Sequence, residues 1–367
     1  MARQARRFAA LCTWAVSIAA AQGPLHEARR LNNDAAALYA QGNIEAAERL
    51  YRAALTLSAN DHLLAATMAS NLGALYKQSN RLLEAEQQYK QALDLRRQSL
   101  TSVRPEIAYS MNNLAEVYRL EGRYWEARNL EEAAVRALEQ ADPQNPDMPL
   151  FLNNWAGLER DLQHLGRAEQ LLQQARPLAE KSGDRAGNSL AIVLNTLAQV
   201  RTDKRQYVEA ERLYLQAGAI FEKANRPYEL AVTWANLGRA QMLLGRSAEA
   251  RQTELRALAL LNTEVHPDEL LRAAILHNLG NVATADGDIL DALSYLDSAL
   301  RTQERILGPR HPSLADVLFD YAAVESQAGE KSQARKMHKR AKLLAAARQQ
   351  DDLSRQTIDA SAFVHSR

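Results

Sequence analysis

Three columns of small residues recur eight times along this 367-residue chain, and they constrain its fold more than any other feature. The first column is Ala35, Gly73, Ala115, Ala156, Ala198, Gly238, Gly280 and Ala322. Twelve residues after each stands an alanine: Ala47, Ala85, Ala127, Ala168, Ala210, Ala250, Ala292 and Ala334. Seven further on stands another: Ala54, Ala92, Ala134, Ala175, Ala217, Ala257, Ala299 and Ala341. Successive members of the second column are 38 to 42 residues apart, and no column is broken. A period of that length marks a repeat array in which each copy is too small to bury its own apolar face and must stack on its neighbours. Each copy reads as two helices in a hairpin, with small residues where helices approach closely and leucine or tyrosine in the spaces between.

Turn and linker residues divide the chain at the same period. Seven residues after the small column come Gly42, Gly122, Gly245, Gly287 and Gly329, with Asn80 in the second copy. Glycine adopts the left-handed conformation that ends a helix without steric penalty, and asparagine tolerates it. Gln163 and Arg205 break this rule, which leaves the fourth and fifth turns less defined. Prolines 105, 143, 146, 149, 227, 267, 309 and 312 fall between hairpins, where a helix stops or starts. Pro177 falls late in a second helix and predicts a kink or early end there.

Composition agrees with an all-α chain: alanine and leucine dominate and aromatics make up 6%. A net charge of +1 with both signs interspersed gives no electrostatic case for nucleic acid or an anionic surface.

The first residues read differently. MARQARR is basic, Phe8 to Ala21 is apolar and uncharged, and Ala19-Ala20-Ala21 precedes Gln22. This is the pattern of a secretory signal peptide, residues 1–21, with a periplasmic or secreted product. The alternatives are an ordinary first helix of a cytoplasmic protein and an organellar transit peptide. The stretch is short for a membrane span, so no span is expected once the signal is removed. Cys12 is the only cysteine, and its loss would leave a mature chain without disulfides, thiol catalysis or cysteine-bound metal.

The stretches NNLAEVYRLEGRYWEA and NLGALYKQSNRLLEAEQQYKQAL, with the linkers EVHPDEL and GPRHPSLA, resemble the long tetratricopeptide repeat of about 42 residues found in kinesin light chain and many bacterial proteins. The resemblance runs from about Leu31 to Leu344. It implies a right-handed α-solenoid of about eight stacked hairpins over residues 25–347, followed by a tail, residues 348–367. It says little about function, since such repeats hold unrelated partners. Within the pattern, Glu131, Glu254 and His338 replace a second-helix tyrosine seen as Tyr51, Tyr89 and Tyr214, which predicts looser or wetter packing. The last helix is expected to end near Asp352, with RQTIDASAF as an extended tail.

One polar column stands out. Two residues before the small column come Asn33, Asn71, Asn113, Asn154, Thr196, Asn236, Asn278 and Asp320, with Asn32, Asn112, Asn153 and Asn195 beside some of them. Asparagine is a poor helix former. Met111, Leu114, Ala115 and Tyr118 form one apolar stripe, and at 100° per residue Asn113 points about 150° away from it. First helices line the concave side of a stacked solenoid, so the column faces the groove. An amide that both donates and accepts can pair with the backbone of an extended peptide without reading its sequence, as related repeat proteins do. Equally, these amides could join neighbouring helices and set the superhelical twist.

Other groove positions would supply specificity: Tyr109, Glu116, Arg119, Gly157, Arg160, Asp161, Gln199, Asp203, Arg239, His277 and Asn281. They carry both signs, and the basic clamp that related chaperone cofactors use for a terminal carboxylate is not recognisable among them. No cofactor or metal is expected, because the eight histidines lack the i, i+4 spacing and nearby acid of a zinc site. His266 and His311 read as linker turn or capping residues. Gly183 to Gly187 lacks the spacing and lysine of a phosphate loop. The chain therefore reads as a non-enzymatic, monomeric scaffold for a protein or peptide partner. A self-assembling repeat protein and a cytosolic regulator are the alternatives.

Overall fold

A computed structural model describes residues 23–100, 104–182, 188–263 and 268–362. The basic and apolar leader, GDRAG, His266 and Pro267 lie outside the described residues. Those described form sixteen helices and no strand. The first, α1, spans residues 23–40. The next seven are α2 (Ile44–Leu57), α3 (His62–Gln78), α4 (Leu82–Ser99), α5 (Pro105–Leu120), α6 (Tyr124–Ala141), α7 (Met148–Asp161) and α8 (Leu165–Ser182). The last eight are α9 (Ser189–Asp203), α10 (Tyr207–Lys223), α11 (Pro227–Leu243), α12 (Ser247–Leu261), α13 (Glu269–Asp286), α14 (Ile289–Leu307), α15 (Leu314–Gln327) and α16 (Lys331–Ala362). This is the all-α repeat fold read from the sequence, eight helix pairs in order. The chain divides into two compact units, Met1–Val117 and Tyr118–Arg367.

In both units the small columns are interior. Ala47, Ala85, Ala127, Ala168, Ala210, Ala250 and Ala292 have no exposed surface, nor does any alanine of the third column. The reason for small residues in the first column is visible at three glycines. A Cβ on Gly73 would meet the Tyr89 ring at 3.1 Å, one on Gly238 would meet Glu254 Oε1 at 2.4 Å, and one on Gly280 would meet Leu296 Cγ at 2.7 Å. The residue sixteen positions later in the second helix thus packs directly on the small residue of the first.

The turns are more uniform than their residues. Gln163 (φ 65°) and Arg205 (φ 61°) adopt the same left-handed conformation as Asn80 (φ 57°) and Gly122 (φ 76°). Each is followed by an amide that reaches back five residues: Arg123 N–H to Tyr118 O at 2.8 Å, His164 N–H to Glu159 O at 2.8 Å, Gln206 N–H to Arg201 O at 2.8 Å. These bonds satisfy helix-end carbonyls and hold the turn even where glycine is missing.

Three expectations are corrected. Of the two outcomes expected at Pro177, a kink or an early end, the early end is not seen: α8 runs through Pro177 to Ser182. α16 continues past Asp352 to Ala362, so RQTIDASA is helical backbone and not an extended tail. Glu131 and Glu254 are not in loose or wet packing: they are 4% and 0% exposed. Glu254 fits because Gly238 leaves room for it.

The second unit carries one contact that stacking alone does not produce. His311, ahead of α15, places Nε2 2.9 Å from the carbonyl oxygen of Leu120 at the end of α5, while its Nδ1 accepts the Ser313 N–H at 3.2 Å. The ring is therefore neutral with its proton on Nε2, donating to Leu120. Beside it, a Cβ on Gly122 would lie 3.2 Å from Pro312 Cδ. α16 also touches α6. The first turn and the last hairpin of this unit are joined.

Candidate functional site

In the first unit the asparagine column is mixed. Asn71 Nδ2 donates to Asn32 Oδ1 at 2.6 Å, a bond from one hairpin to the previous one. Asn32 Nδ2 in turn lies 3.5 Å from Asn33 Oδ1, and Asn33 is exposed. Asn113 is half-buried and makes no side-chain hydrogen bond among the described residues. Glu116, expected to contribute specificity, takes an ion pair from Lys77 at 2.5 Å, again between hairpins.

The second unit shows the same division. Asn278 Nδ2 donates to the Ala235 carbonyl at 3.0 Å and to Glu254 Oε1 at 2.8 Å, so this rung faces inward and ties α13 to α11 and α12. Thr196 is buried, its hydroxyl donating to the Ile192 carbonyl of its own helix at 3.2 Å. Asn236 is half-buried, with a buried Nδ2 that has no partner, and Asn154 is exposed and bonded. The column is thus architectural at Asn71 and Asn278 and uncommitted at Asn113.

The polar positions beside the column form a ladder. Arg119 Nε pairs with Asp161 Oδ2 at 2.6 Å, and Arg160 Nε pairs with Asp203 Oδ2 at 2.9 Å, the same geometry one hairpin later. Arg160 also donates to Gln199. Further along, Asp320 Oδ2 lies 2.7 Å from His277 Nε2 and accepts from Asn281 Nδ2 at 2.9 Å. Burial would raise the Asp320 carboxyl, but the hydrogen bond and charge of His277 hold it below the ordinary aspartate range. Most residues expected to read a ligand therefore also bind the next hairpin.

Arg239 is the exception. It is exposed and has no ion pair or hydrogen bond among the described residues. It lines a cavity of about 520 Å³ with Arg119, Arg160, Asp161, Thr202, Asp203 and Leu243, all from the C-terminal ends of first helices α5, α7, α9 and α11. The turn residues Gln163 and Arg205, the second-helix residues Tyr124 and Tyr207, and Ser313 and Asp316 also line it. Sequence reasoning missed Gln163, Arg205, Tyr124, Tyr207, Thr202, Leu243, Ser313 and Asp316 as groove residues. The first two could have been found from their place in the turns, but Ser313 and Asp316 enter only because His311 brings their segment to Leu120.

A second polar cluster is structural. Glu159, fully buried, accepts from Trp155 Nε1 at 2.9 Å and Arg128 Nε at 2.8 Å through Oε1, while Oε2 lies 2.8 Å from His164 Nδ1. Burial alone would raise this carboxyl, but its bonds to Arg128 and His164 outweigh that and hold it below the ordinary range. Among the described residues no group of histidines, cysteines and carboxylates could hold a metal ion, and no helix is long and apolar enough to cross a membrane.

The tetratricopeptide repeat is matched at residues 27–98, 64–140 and 271–342, together just over half of the chain. The chain belongs to the tetratricopeptide repeat family. No curated protein matches it in sequence. Among solved structures, this tetratricopeptide repeat protein is similar to a Rap protein complexed with competence and sporulation factor. The TM-score is 0.67 at 16% identity, covering 90% of this chain and 99% of that one. It is also similar to the Rap conjugation gene regulator of plasmid pLS20 in complex with a peptide, with a TM-score of 0.64 at 15% identity over 80% and 77% of the two chains. Aspartyl phosphate phosphatase F from Bacillus subtilis aligns with a TM-score of 0.58 at 14% identity over 80% and 75%. At these identities the likeness is one of fold.

Proposed function

We propose that this tetratricopeptide repeat protein is a non-enzymatic interaction scaffold that holds an extended peptide segment of a partner protein against the inner wall of its repeats. The observation that carries this reading is the cavity of the second unit, where four successive first helices converge polar side chains and leave Arg239 unpaired. Amides and guanidinium groups on rigid helices suit the main chain and polar side chains of an extended ligand. One of the similar folds was solved in complex with a peptide and another in complex with competence and sporulation factor, which supports the same use of the wall.

The test is affinity selection of a random peptide pool by the purified full-length protein. Wild type is expected to enrich a set of peptides, and Asn113→Ala/Asn154→Ala/Asn236→Ala to lose part of it while keeping its helical circular dichroism. A folded triple variant that retains every peptide would make the asparagine column purely architectural. The basic and apolar leader adds export to the proposal. A mature N-terminus near Gln22 supports it, and an intact Met1 to Gln22 segment on the native protein refutes it.

A further inference from the structure

Second helices of the array carry cations on their exposed faces, and four of them neutralise one locally with an acid four residues earlier. Arg52 pairs with Glu48 in α2, Lys90 with Glu86 in α4, Arg136 with Glu132 in α6 and Arg301 with Asp297 in α14. An acid in that position relieves repulsion along the face and agrees with the helix dipole. α16 departs from this pattern in the same register. Arg335 stands where α2 and α4 place Glu48 and Glu86, and Lys339 where α6 and α14 place Glu132 and Asp297. From Lys331 to Lys342 the helix holds six cations and no acid, in a chain whose net charge is +1.

One of the six is matched: Arg340 pairs with Glu304 and donates to the Pro309 carbonyl at 2.6 Å. Lys331, Arg335, Lys336, Lys339 and Lys342 are exposed and have no ion pair or hydrogen bond among the described residues. Helical periodicity puts Lys331, Arg335, Lys339 and Lys342 on one strip about 16 Å long. Leu343, 64% exposed, follows Lys336 by seven residues and Lys339 by four, so it lies along the edge of that strip. The opposite face is committed to the core, where Ala341 and Leu344 are buried with Met337 and Ala345 packed against them.

Three classes of polyanion carry the charge to neutralise this strip, and two fit it less well. A bilayer takes up the apolar side of an amphipathic helix, and that side of α16 is already buried. A nucleic acid would be held by its phosphates alone. α16 has no tryptophan, tyrosine or phenylalanine to stack on a base, and four of the five unmatched cations are lysines, point charges without the bidentate fork of arginine. A phosphate backbone also offers nothing to Leu343. A protein helix with carboxylates one turn apart and an apolar residue beside them meets both the cations and the leucine.

We propose that the exposed face of α16 docks an acidic amphipathic helix of a partner protein, with Lys331, Arg335, Lys339 and Lys342 meeting its carboxylates and Leu343 its apolar side chain. None of these residues lines the second-unit cavity, so the inference stands independently of the peptide reading above.

Full-length protein is titrated into a fluorescein-labelled, amidated helical peptide about 14 residues long, enough to span the strip, with glutamate at every fourth position and a leucine beside the last. Binding is read by fluorescence anisotropy at low ionic strength and again at about 0.5 M salt. Wild type is expected to bind this peptide at low salt, to release it at high salt, and to bind the analogue with glutamine for glutamate at least about tenfold more weakly. Arg335→Glu rebuilds with Lys339 the acid and base pair of α2 and α4, so circular dichroism and melting should be retained while affinity falls about tenfold or more. Leu343→Ser should weaken binding about threefold to tenfold. A short DNA duplex and phosphatidylglycerol vesicles are titrated in parallel. Tighter binding of either than of the peptide overturns the choice of a protein partner. Failure of wild type to bind the peptide, equal binding of the glutamine analogue, or affinity unchanged by Arg335→Glu overturns the docking face itself.

Discussion

Glu254 should make the second unit less stable as pH rises, and Glu254→Gln should remove that dependence. The carboxyl has no exposed surface; one oxygen accepts from Asn278 at 2.8 Å and the other is buried without a partner. Among the described residues no cation stands against it, so burial pushes the group well above the usual carboxylate range, with only the Asn278 amide opposing. In the unfolded chain the same carboxyl ionises near its ordinary value of 4.5. Below that value both states are protonated and nothing is lost. Above it the unfolded chain releases a proton that the folded chain retains, and stability falls by about 1.4 kcal/mol per pH unit until the folded group also ionises. Glutamine keeps the acceptor for Asn278 but does not titrate. Its buried amide nitrogen can cost about 1–3 kcal/mol, but that cost does not vary with pH. The assay is urea denaturation by circular dichroism of wild type and variant from about pH 5 to about pH 9. Variant stability minus wild-type stability should climb with pH at up to the slope given above, then level off. Parallel curves across the range would refute a neutral, buried Glu254.

Glu159 should behave in the opposite sense. Its folded carboxyl lies below the ordinary range, so it stabilises above about pH 4.5 and loses that contribution as acid protonates it; Glu159→Gln should cost about 3–5 kcal/mol at neutral pH and flatten the acid limb of a denaturation series. His311→Ala should free the Ser313 amide and the Leu120 carbonyl, costing about 1–3 kcal/mol, and hydrogen exchange at Ser313 should accelerate by about tenfold or more. Asn71→Ala and Asn278→Ala should lower the melting temperature, because each breaks a bond between hairpins, whereas Asn113→Ala should leave it within about 0.5 kcal/mol of wild type by urea titration.

The repeat was legible because close helix approach permits few side chains: an unbroken alanine column at a fixed period can hardly be anything else. Turns at Gln163 and Arg205 were less legible because residue preference is a weak guide where neighbouring carbonyls enforce the geometry. The asparagine column could be read as a column, but not rung by rung. Asn278 is turned inward by a glutamate on another helix, and Asn71 by an asparagine 39 residues earlier. The cavity was only half visible. Its first-helix wall follows the period, whereas Ser313 and Asp316 reach it across a sequence separation of 191 residues, the span from Leu120 to His311. No local pattern encodes a contact at that range.

That same contact bears on how such a chain can change over time. Repeat arrays ordinarily gain or lose whole copies with little penalty, because each copy touches only its neighbours and the ends are free to move apart. Here Gly122 and Pro312 meet across the intervening hairpins, and His311 Nε2 donates to the Leu120 carbonyl. Duplicating or deleting one hairpin between them would shift that meeting point by the length of a whole copy and break the contact. Keeping that contact therefore fixes the number of hairpins in this stretch, while hairpins added ahead of α5 would leave it untouched.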